Sequence, residues 1–279
     1  MDAQLTNAEQ ARAWRGPASA TWVDNTERHD RVLAPYLAAV VEAAELSATD
    51  RVLDVGCGTG ALTRTTARLA ADGQATGVDR SDEMVAAARD ITDAEGPLNA
   101  DFIEADAETY AFPAGEFDTM VSRFGTLYFD DPVAAFANLH GALRPGGRLA
   151  FSCWQSLATN DWLRVPLEAA AADLGAADAT GSAGPAFSLA EPDRVRQVLG
   201  DAGFQDVELA AVDAPLPLGS VDDTLTYVAG GETARRLFAG HEPAAVERAL
   251  AAMRAALEPL AEPDGVRLTS RAWLVTAHA

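Results

Sequence analysis

Strand-like and helix-like stretches alternate between residues 49 and 153 of the chain. Runs of β-branched and apolar residues predict five strands, at Arg51–Val55, Ala75–Val78, Asp101–Glu104, Phe117–Ser122 and Arg148–Cys153. Between them, the pattern predicts helices at Thr59–Ala71, Ser81–Thr92 and Pro132–Leu143. This order is typical of a doubly wound α/β fold, in which a mostly parallel sheet carries helices on both faces.

Two parts of the chain depart from this alternation. The pattern predicts a helical N-terminal lid over residues 1–48 and the α/β domain over residues 49–279. Within that domain, cap segments are predicted at about 155–190 and 220–262. The stretch Gly175–Pro185 lacks periodicity and predicts a mobile loop. The later elements are predicted as helices at Trp162–Leu174, Glu191–Asp201, Asp222–Phe238 and Pro243–Leu260, and as strands at Gln205–Ala210 and Ala272–Ala277.

A glycine-rich loop connects the first strand to the helix that follows it, in the sequence Asp54-Val55-Gly56-Cys57-Gly58-Thr59-Gly60. Glycine allows a sharp turn and lets a ligand approach the main chain, while the following helix N-terminus suits an anionic group. Gly56, Gly58 and Ala61 also satisfy the loose dinucleotide pattern, so the first two glycines alone do not identify the ligand.

Acidic residues at the ends of three strands restrict which ligand the glycine-rich loop could bind. Asp54 ends the first strand, where it would repel a pyrophosphate and attract a ligand ammonium group. Asp106 follows the third strand, beside the expected position of an adenine amino group. Asp79 ends the second strand and suits a ribose diol in either interpretation. Together with Gly60, these positions favour a ligand that carries both an adenosine and an ammonium group.

Composition excludes several classes of partner. Lys and Arg total 21 against 42 for Asp and Glu, a formal net charge of −21, which disfavours nucleic acid and anionic membranes. No secretory signal or membrane-spanning run is expected, and Cys57 and Cys153 lie in apolar stretches. We therefore expect a soluble, cytoplasmic protein with a small-molecule partner and no metal site.

Several motifs together resemble the class I S-adenosylmethionine-dependent methyltransferases. They are the glycine loop, Gly77-Val78-Asp79, Asp106-Ala107 and Leu143-Arg144-Pro145-Gly146-Gly147. A closer resemblance, to bacterial small-molecule methyltransferases around the ubiquinone and menaquinone biosynthesis enzymes, rests on Trp14-Arg15-Gly16-Pro17, Ser122-Arg123-Phe124-Gly125, Phe151-Ser152-Cys153-Trp154 and Ala272-Trp273-Leu274-Val275. The resemblance implies a seven-stranded Rossmann-like sheet, S-adenosyl-L-methionine as cofactor, S-adenosyl-L-homocysteine as product, and a monomer or homodimer.

The resemblance also implies roles for individual residues. Gly56, Gly58 and Gly60 would line the methionine part of the cofactor, with Asp54 near its amino group and Asp79 on both ribose hydroxyls. The adenine would lie among Asp106, Ala107 and Met84, and Arg80 is included in the cofactor site. Arg123 matches a position that lines the methionine end; a structural ion pair with Asp130 or Asp131 is an equally good interpretation.

The residues that would act on the acceptor are less well defined. His29 is the one histidine expected over the cofactor and is a weak candidate for a general base, since an exposed charged helix face explains it equally well. Trp14, Trp22, Phe124, Tyr128 and Trp154 are candidate lid or substrate contacts, with core packing as the alternative. Methyl transfer to a small, mostly apolar acceptor, such as a secondary metabolite or quinone-like aromatic, is the favoured function. An NAD(P)-dependent oxidoreductase and a non-catalytic S-adenosylmethionine-binding protein are the alternatives.

Overall fold

The computed structural model describes residues 22–176 and 184–279. Its strands, in chain order, are β1 Arg51–Val55, β2 Gln74–Asp79, β3 Ala100–Glu104, β4 Phe117–Arg123, β5 Leu143–Trp154, β6 Gln205–Gly219, β7 Ala261–Glu262 and β8 Gly265–His278. The order across the sheet is β3-β2-β1-β4-β5-β8-β6, and β7 pairs with β8 outside this path. The pairs from β3 through β5 are all parallel. The doubly wound, mostly parallel fold class is therefore confirmed.

The helices occupy the connections between these strands and the later part of the chain. They are α1 Thr26–Val32, α2 Ala34–Ala43, α3 Ala61–Leu69, α4 Asp82–Glu95, α5 Pro132–Ala142, α6 Asp161–Leu174, α7 Pro192–Asp201, α8 Val221–Ala229, α9 Glu232–Phe238 and α10 Pro243–Leu257. Ser81 caps α4 by accepting the Met84 N–H, as its position before an acidic first turn predicts. Within the described residues, no helix is both long and apolar enough to span a bilayer.

The described chain divides into two compact units. The first contains the residues up to Cys153, together with Glu191–Ala211 and Trp273–Ala279, and the second contains Trp154–Ala190 and Val212–Ala272. Strands β1 to β4 and helices α1 to α5 therefore belong to the first unit, while α6 and α8 to α10 belong to the second. The lid and cap boundaries expected from the sequence stay predictions.

One face of the first unit's sheet is packed under α2 and α3. Val52 of β1, Val121 of β4 and Ala150 of β5 are fully buried in a cluster with Val40 and Leu62 from those helices. Because strand side chains alternate between faces, the residues two positions further along, Asp54, Arg123 and Ser152, lie on this same face. The sheet order reverses between β1 and β4, and ligands of open α/β sheets bind at the carboxyl ends of the strands at that reversal.

A side-chain amide organises the start of the second unit. Asn160 is fully buried, and its Nδ2 donates to the carbonyls of Gln155, Ser156 and Arg271. Its Oδ1 accepts the Arg271 N–H and the Trp162 Nε1–H. One side chain therefore ties the beginning of α6 to strand β8 within this unit.

The predicted bounds of one helix and of strand β5 were wrong. The helix expected at Asp222–Phe238 is two helices, α8 and α9, separated by Gly230 and Gly231, because glycine disfavours a helix interior. Strand β5 begins at Leu143, since the predicted turn at residues 145–147 is held in the sheet by Ala279, whose carbonyl accepts from Gly146 N and whose N–H donates to Gly147 O.

The later strands are longer than predicted. β6 continues to Gly219, and β8 begins at Gly265 instead of Ala272. Alternating burial along both strands extends through these additional residues, and β7 forms a short antiparallel hairpin with β8 that the sequence did not suggest. Trp14 and most of the predicted loop at residues 175–185 lie outside the described residues.

Candidate functional site

The glycine loop lies at the carboxyl end of β1, and its glycines have different surroundings. A Cβ on Gly56 would come within 2.5 Å of the Gly125 Cα, so the loop and the turn after β4 touch through their backbones. A Cβ on Gly58 would meet no atom within 4 Å, and its backbone is left-handed with a φ of +53°. Gly60 forms the N-cap of α3. The open space of this loop is therefore at Gly58.

Asp54 is a buried carboxylate with one unused oxygen. Asp54 is 1% exposed, Oδ2 accepts a 2.6 Å hydrogen bond from the Thr63 hydroxyl, and Oδ1 has no hydrogen-bond partner among the described residues. Burial raises the pKa of Asp54 to about 7, against the lowering effects of the Thr63 hydrogen bond and the Arg123 charge. A buried carboxylate oxygen that lacks a partner among the described residues suits a ligand cation, which would favour the ionised form of Asp54.

Asp79 stabilises the loop as well as ending β2. Its Oδ2 accepts the Gly58 N–H at 2.9 Å, and its Oδ1 accepts the Ser81 N–H at 2.9 Å. Burial raises the pKa of this carboxyl, although both hydrogen bonds oppose the shift. A carboxylate has about four acceptor positions, so two are available for ligand hydroxyls.

The remaining predicted adenosine contacts lie around the loop after β3. Arg80 Nη2 donates to Asp106 Oδ2 at 2.6 Å, and Asp106 Oδ1 accepts the Glu108 N–H. Met84 and Ala107 are both buried. The structure therefore brings Arg80 and Asp106 together as an ion pair, whereas the sequence predicts each as a separate cofactor contact.

Arg123 forms an ion pair with a different partner from those expected. Its Nη2 donates to Asp30 Oδ1 of α1 at 2.8 Å, across 93 positions of sequence. Asp131 instead caps α5 by accepting the Ala134 N–H, so the predicted pairing with Asp130 or Asp131 was wrong. In the part of the chain that the structure describes, Arg123 Nη1 is buried without a hydrogen-bond partner. Within the described residues, the guanidinium thus binds Asp30 through Nη2, and Nη1 remains able to donate to another acceptor.

His29 lies on α1 against the Trp22 ring, with ring centroids 3.5 Å apart in an edge-on arrangement. Burial, followed by the charges of Arg123 and Arg28, lowers the pKa of His29 to about 3. The imidazole is therefore neutral at physiological pH and a poor proton acceptor. This property argues against the predicted role of general base.

The other aromatic candidates separate into two groups. Phe124 is buried with a left-handed backbone (φ +63°) and packs edge-on against Tyr36, with centroids 5.1 Å apart. Tyr128 is half-buried in the 3-10 turn that follows. Trp154 packs against Trp162 within the second unit, with centroids 5.3 Å apart. A strained non-glycine residue after a strand end is typical of a functional site.

Sequence reasoning missed four polar residues of this region. Thr63 binds Asp54, Asp30 binds Arg123, and the hydroxyls of Thr126 and Ser152 are buried without a hydrogen-bond partner. Ser152 could have been found from its place near the carboxyl end of a predicted buried strand. Asp30 could not, because no local signal relates it to β4.

These residues fit S-adenosylmethionine when tested on the geometry alone. The unpaired Asp54 oxygen suits an ammonium group, the space at Gly58 accommodates a ligand that approaches the backbone, and Asp79 retains acceptor positions for a diol. No group of three or more metal-ligating side chains occurs in the described part of the chain.

Comparison with known proteins defines the class. Residues 52–147 match the family described as a methyltransferase domain. This match, the relatives and the fold together confirm the resemblance: the chain contains an S-adenosylmethionine-dependent methyltransferase domain with a Rossmann-like fold.

Individual relatives cover part of the chain. Aklanonic acid methyltransferase DauC of Streptomyces sp. is 29% identical over 51% of this chain and 67% of that protein. The ubiquinone/menaquinone biosynthesis C-methyltransferase UbiE of Teredinibacter turnerae is 39% identical over 39% of this chain and 45% of that protein. The chain thus spans about two thirds of the first relative and less than half of the second.

Solved structures share the fold over most of the chain. YcgJ from Bacillus subtilis has a TM-score of 0.58 at 16% identity, covering 87% of this chain and 97% of that one. Phosphoethanolamine N-methyltransferase 2 of Haemonchus contortus, solved with phosphomonomethylethanolamine and S-adenosylhomocysteine, has a TM-score of 0.58 at 16% identity, covering 92% and 57% respectively. At this identity the likeness concerns the fold.

Proposed function

We propose that the protein transfers a methyl group from S-adenosylmethionine to a small, mostly apolar organic acceptor. The observation that carries the proposal is the pairing of an open glycine position, Gly58, with the unsatisfied buried oxygen of Asp54. Open space at the loop backbone beside a carboxylate suits a ligand that carries an ammonium group at its amino acid end. The same carboxylate would repel the pyrophosphate of a dinucleotide, which disfavours the oxidoreductase alternative.

Residues of the first unit would bind different parts of the cofactor. Asp79 would accept hydrogen bonds from the ribose hydroxyls, Asp54 would bind the ammonium group, and Met84 with Ala107 would pack around the adenine. S-Adenosylmethionine supplies a sulfonium whose methyl group is electrophilic. The protein therefore has to orient an acceptor beside the methyl group and exclude water from it.

The character of the acceptor is proposed from two sources. Phe124 and Tyr36 form an aromatic contact next to Arg123, which suits an acceptor with apolar surface. Relatives named for aklanonic acid and for ubiquinone/menaquinone biosynthesis support a small organic molecule. We further propose that the protein acts in the cytoplasm, as a monomer or homodimer, without nucleic acid.

Ligand binding and turnover test this function separately. Calorimetry should show saturable binding of S-adenosylhomocysteine and none of NADH. Incubation with methyl-tritiated S-adenosylmethionine and a panel of phenols, aromatic carboxylic acids and quinols should transfer label to at least one compound, and Gly58→Val should abolish the transfer. Preferential binding of NADH would favour the oxidoreductase, whereas binding of S-adenosylhomocysteine without any transfer would favour a non-catalytic role.

A further inference from the structure

Two groups that can donate hydrogen bonds lie side by side on β4 and β5. Arg123 and Ser152 are register partners in the parallel pairing of these strands, and both lie on the face covered by α2 and α3. Ser152 is 2% exposed, and its hydroxyl has no hydrogen-bond partner within residues 22–176 and 184–279. Arg123 Nη1 is likewise buried without a hydrogen-bond partner among the described residues. The other terminal nitrogen, Nη2, donates to Asp30.

Unsatisfied buried polar atoms are costly, so their clustering requires an explanation. A buried donor without a partner has lost its hydrogen bonds to water and gained none in the protein, and this cost is larger for a charged group. Ser152→Ala would remove no hydrogen bond within the described residues, and there the buried Thr126 hydroxyl, a few residues after Arg123, also lacks a hydrogen-bond partner. Adjacent groups of this kind, one of them charged, indicate a site for a ligand oxygen.

Position along the sheet separates this site from the cofactor. Asp79, Asp54, Arg123 and Ser152 end the consecutive strands β2, β1, β4 and β5. Adjacent strands lie about 4.8 Å apart, so Ser152 is about 10 Å from the line of β1. The ammonium and carboxylate groups of the cofactor are on one carbon atom. With the ammonium at Asp54, that carboxylate can approach Arg123, but Ser152 lies one strand further away.

We propose that the Ser152 hydroxyl and Arg123 Nη1 bind an anionic oxygen of the methyl acceptor, of the carboxylate type. This proposal rests on the proposed function and specifies its substrate: an apolar molecule that carries one oxyanion, oriented by β4 and β5 beside the methyl group. The Thr126 hydroxyl, in the 3-10 turn that follows β4, is a third donor. Asp30 positions Arg123 by binding its other nitrogen.

Binding of a matched pair of probes tests the proposal. The wild-type protein, saturated with S-adenosylhomocysteine, is titrated with 2-naphthoate and with its neutral counterpart 2-naphthamide by calorimetry. We expect 2-naphthoate to bind at least tenfold more tightly. Ser152→Ala should weaken 2-naphthoate about tenfold, leave 2-naphthamide within about twofold, and leave the dissociation constant of S-adenosylhomocysteine unchanged. Ser270→Ala, which removes a buried hydroxyl that donates to Ala214 O in the second unit, is the matched control.

The urea midpoint of unfolding is a second measurement, and it distinguishes a ligand-binding serine from one that stabilises the fold. Because the Ser152 hydroxyl has no partner, Ser152→Ala should leave the urea midpoint unchanged or raise it, whereas Ser270→Ala should lower it. A lower midpoint for Ser152→Ala, unchanged 2-naphthoate binding, or no binding of either probe to the wild-type complex would overturn the proposal. Weaker S-adenosylhomocysteine binding in Ser152→Ala would also overturn it by placing Ser152 in the cofactor site. Failure of the wild type to bind S-adenosylhomocysteine would instead refute the proposed function.

Discussion

At the scale of single residues, the protonation of Asp54 determines how the site responds to pH. In the free protein, burial raises its pKa to about 7, so the carboxyl is largely neutral below that pH. A raised carboxyl pKa stabilises the fold at low pH, and this contribution is lost as pH rises from the unfolded value of about 4 through about 7. A bound ammonium group reverses the preference because it favours the ionised carboxylate.

We predict that the affinity for S-adenosylhomocysteine increases as pH rises from about 6 to about 8, approaching tenfold per pH unit on the acidic side. Binding near pH 6.5 should release a proton, measurable by calorimetry in buffers with different ionisation enthalpies. Asp54→Asn should bind more weakly and without the proton release. Wild-type binding that is independent of both pH and buffer would show that Asp54 does not contact the ligand cation.

A second residue-scale prediction concerns Asp79. Asp79→Ala should weaken the binding of S-adenosylhomocysteine by about 1.5–3 kcal/mol, because the carboxylate accepts charge-assisted hydrogen bonds from the ribose. The same carboxylate supports the Gly58 N–H, so a loss of affinity alone is ambiguous. A 2′-deoxy analogue resolves this: removal of the hydroxyl should reduce affinity in the wild type and have little effect in the variant. Equal losses in both proteins would remove Asp79 from the ribose site.

At the scale of elements, the glycine loop makes contrasting predictions for two of its members. Gly58→Val should retain a folded protein, at a cost of about 1–2 kcal/mol for the left-handed backbone, yet abolish cofactor binding because the new side chain enters open space. Gly56→Ala is the structural contrast, since its Cβ would collide with the backbone of Gly125, and it should lower the unfolding temperature strongly. Circular dichroism and calorimetry measure the two properties. Normal cofactor binding by Gly58→Val would contradict the assignment.

Helix α1 is predicted to depend on the ion pair between Asp30 and Arg123 for its place near the end of β4. Asp30→Asn removes the charge that holds Arg123 and should speed amide exchange in α1 while leaving exchange in β1 unchanged. S-Adenosylhomocysteine should slow exchange in α1 of the wild type, as expected for a lid that orders on binding. Glu27→Gln, on the exposed side of the same helix, is the control variant. Full protection of α1 without ligand would indicate a fixed wall.

At the scale of the whole molecule, local signals predicted the parts of the fold that local physics determines. β1 was predicted with correct ends because its apolar residues Val52, Leu53 and Val55 lie directly before the glycine loop, and α4 began as expected because Ser81 is a local cap. Pairing across long sequence separations was not predictable: the Asp30 contact with Arg123 exists only once β4 and α1 are assembled. The glycine loop was recognisable because its chemistry is contiguous.

The net charge of −21 leads to a prediction about the whole molecule and its cofactor. S-Adenosylmethionine carries one more positive charge than S-adenosylhomocysteine, namely the sulfonium, so the protein's field should favour the substrate form over the product. Screening reduces this field: the Debye length falls from about 30 Å at 0.01 M salt to about 3 Å at 1 M. Raising NaCl from about 0.01 to 0.5 M should therefore weaken S-adenosylmethionine binding about two- to fivefold more than S-adenosylhomocysteine binding. The product is the internal control, because both ligands share the ammonium, carboxylate and adenosine groups. An equal response of the two dissociation constants would mean that the acidic surface does not act on the sulfonium, and that only local contacts distinguish substrate from product.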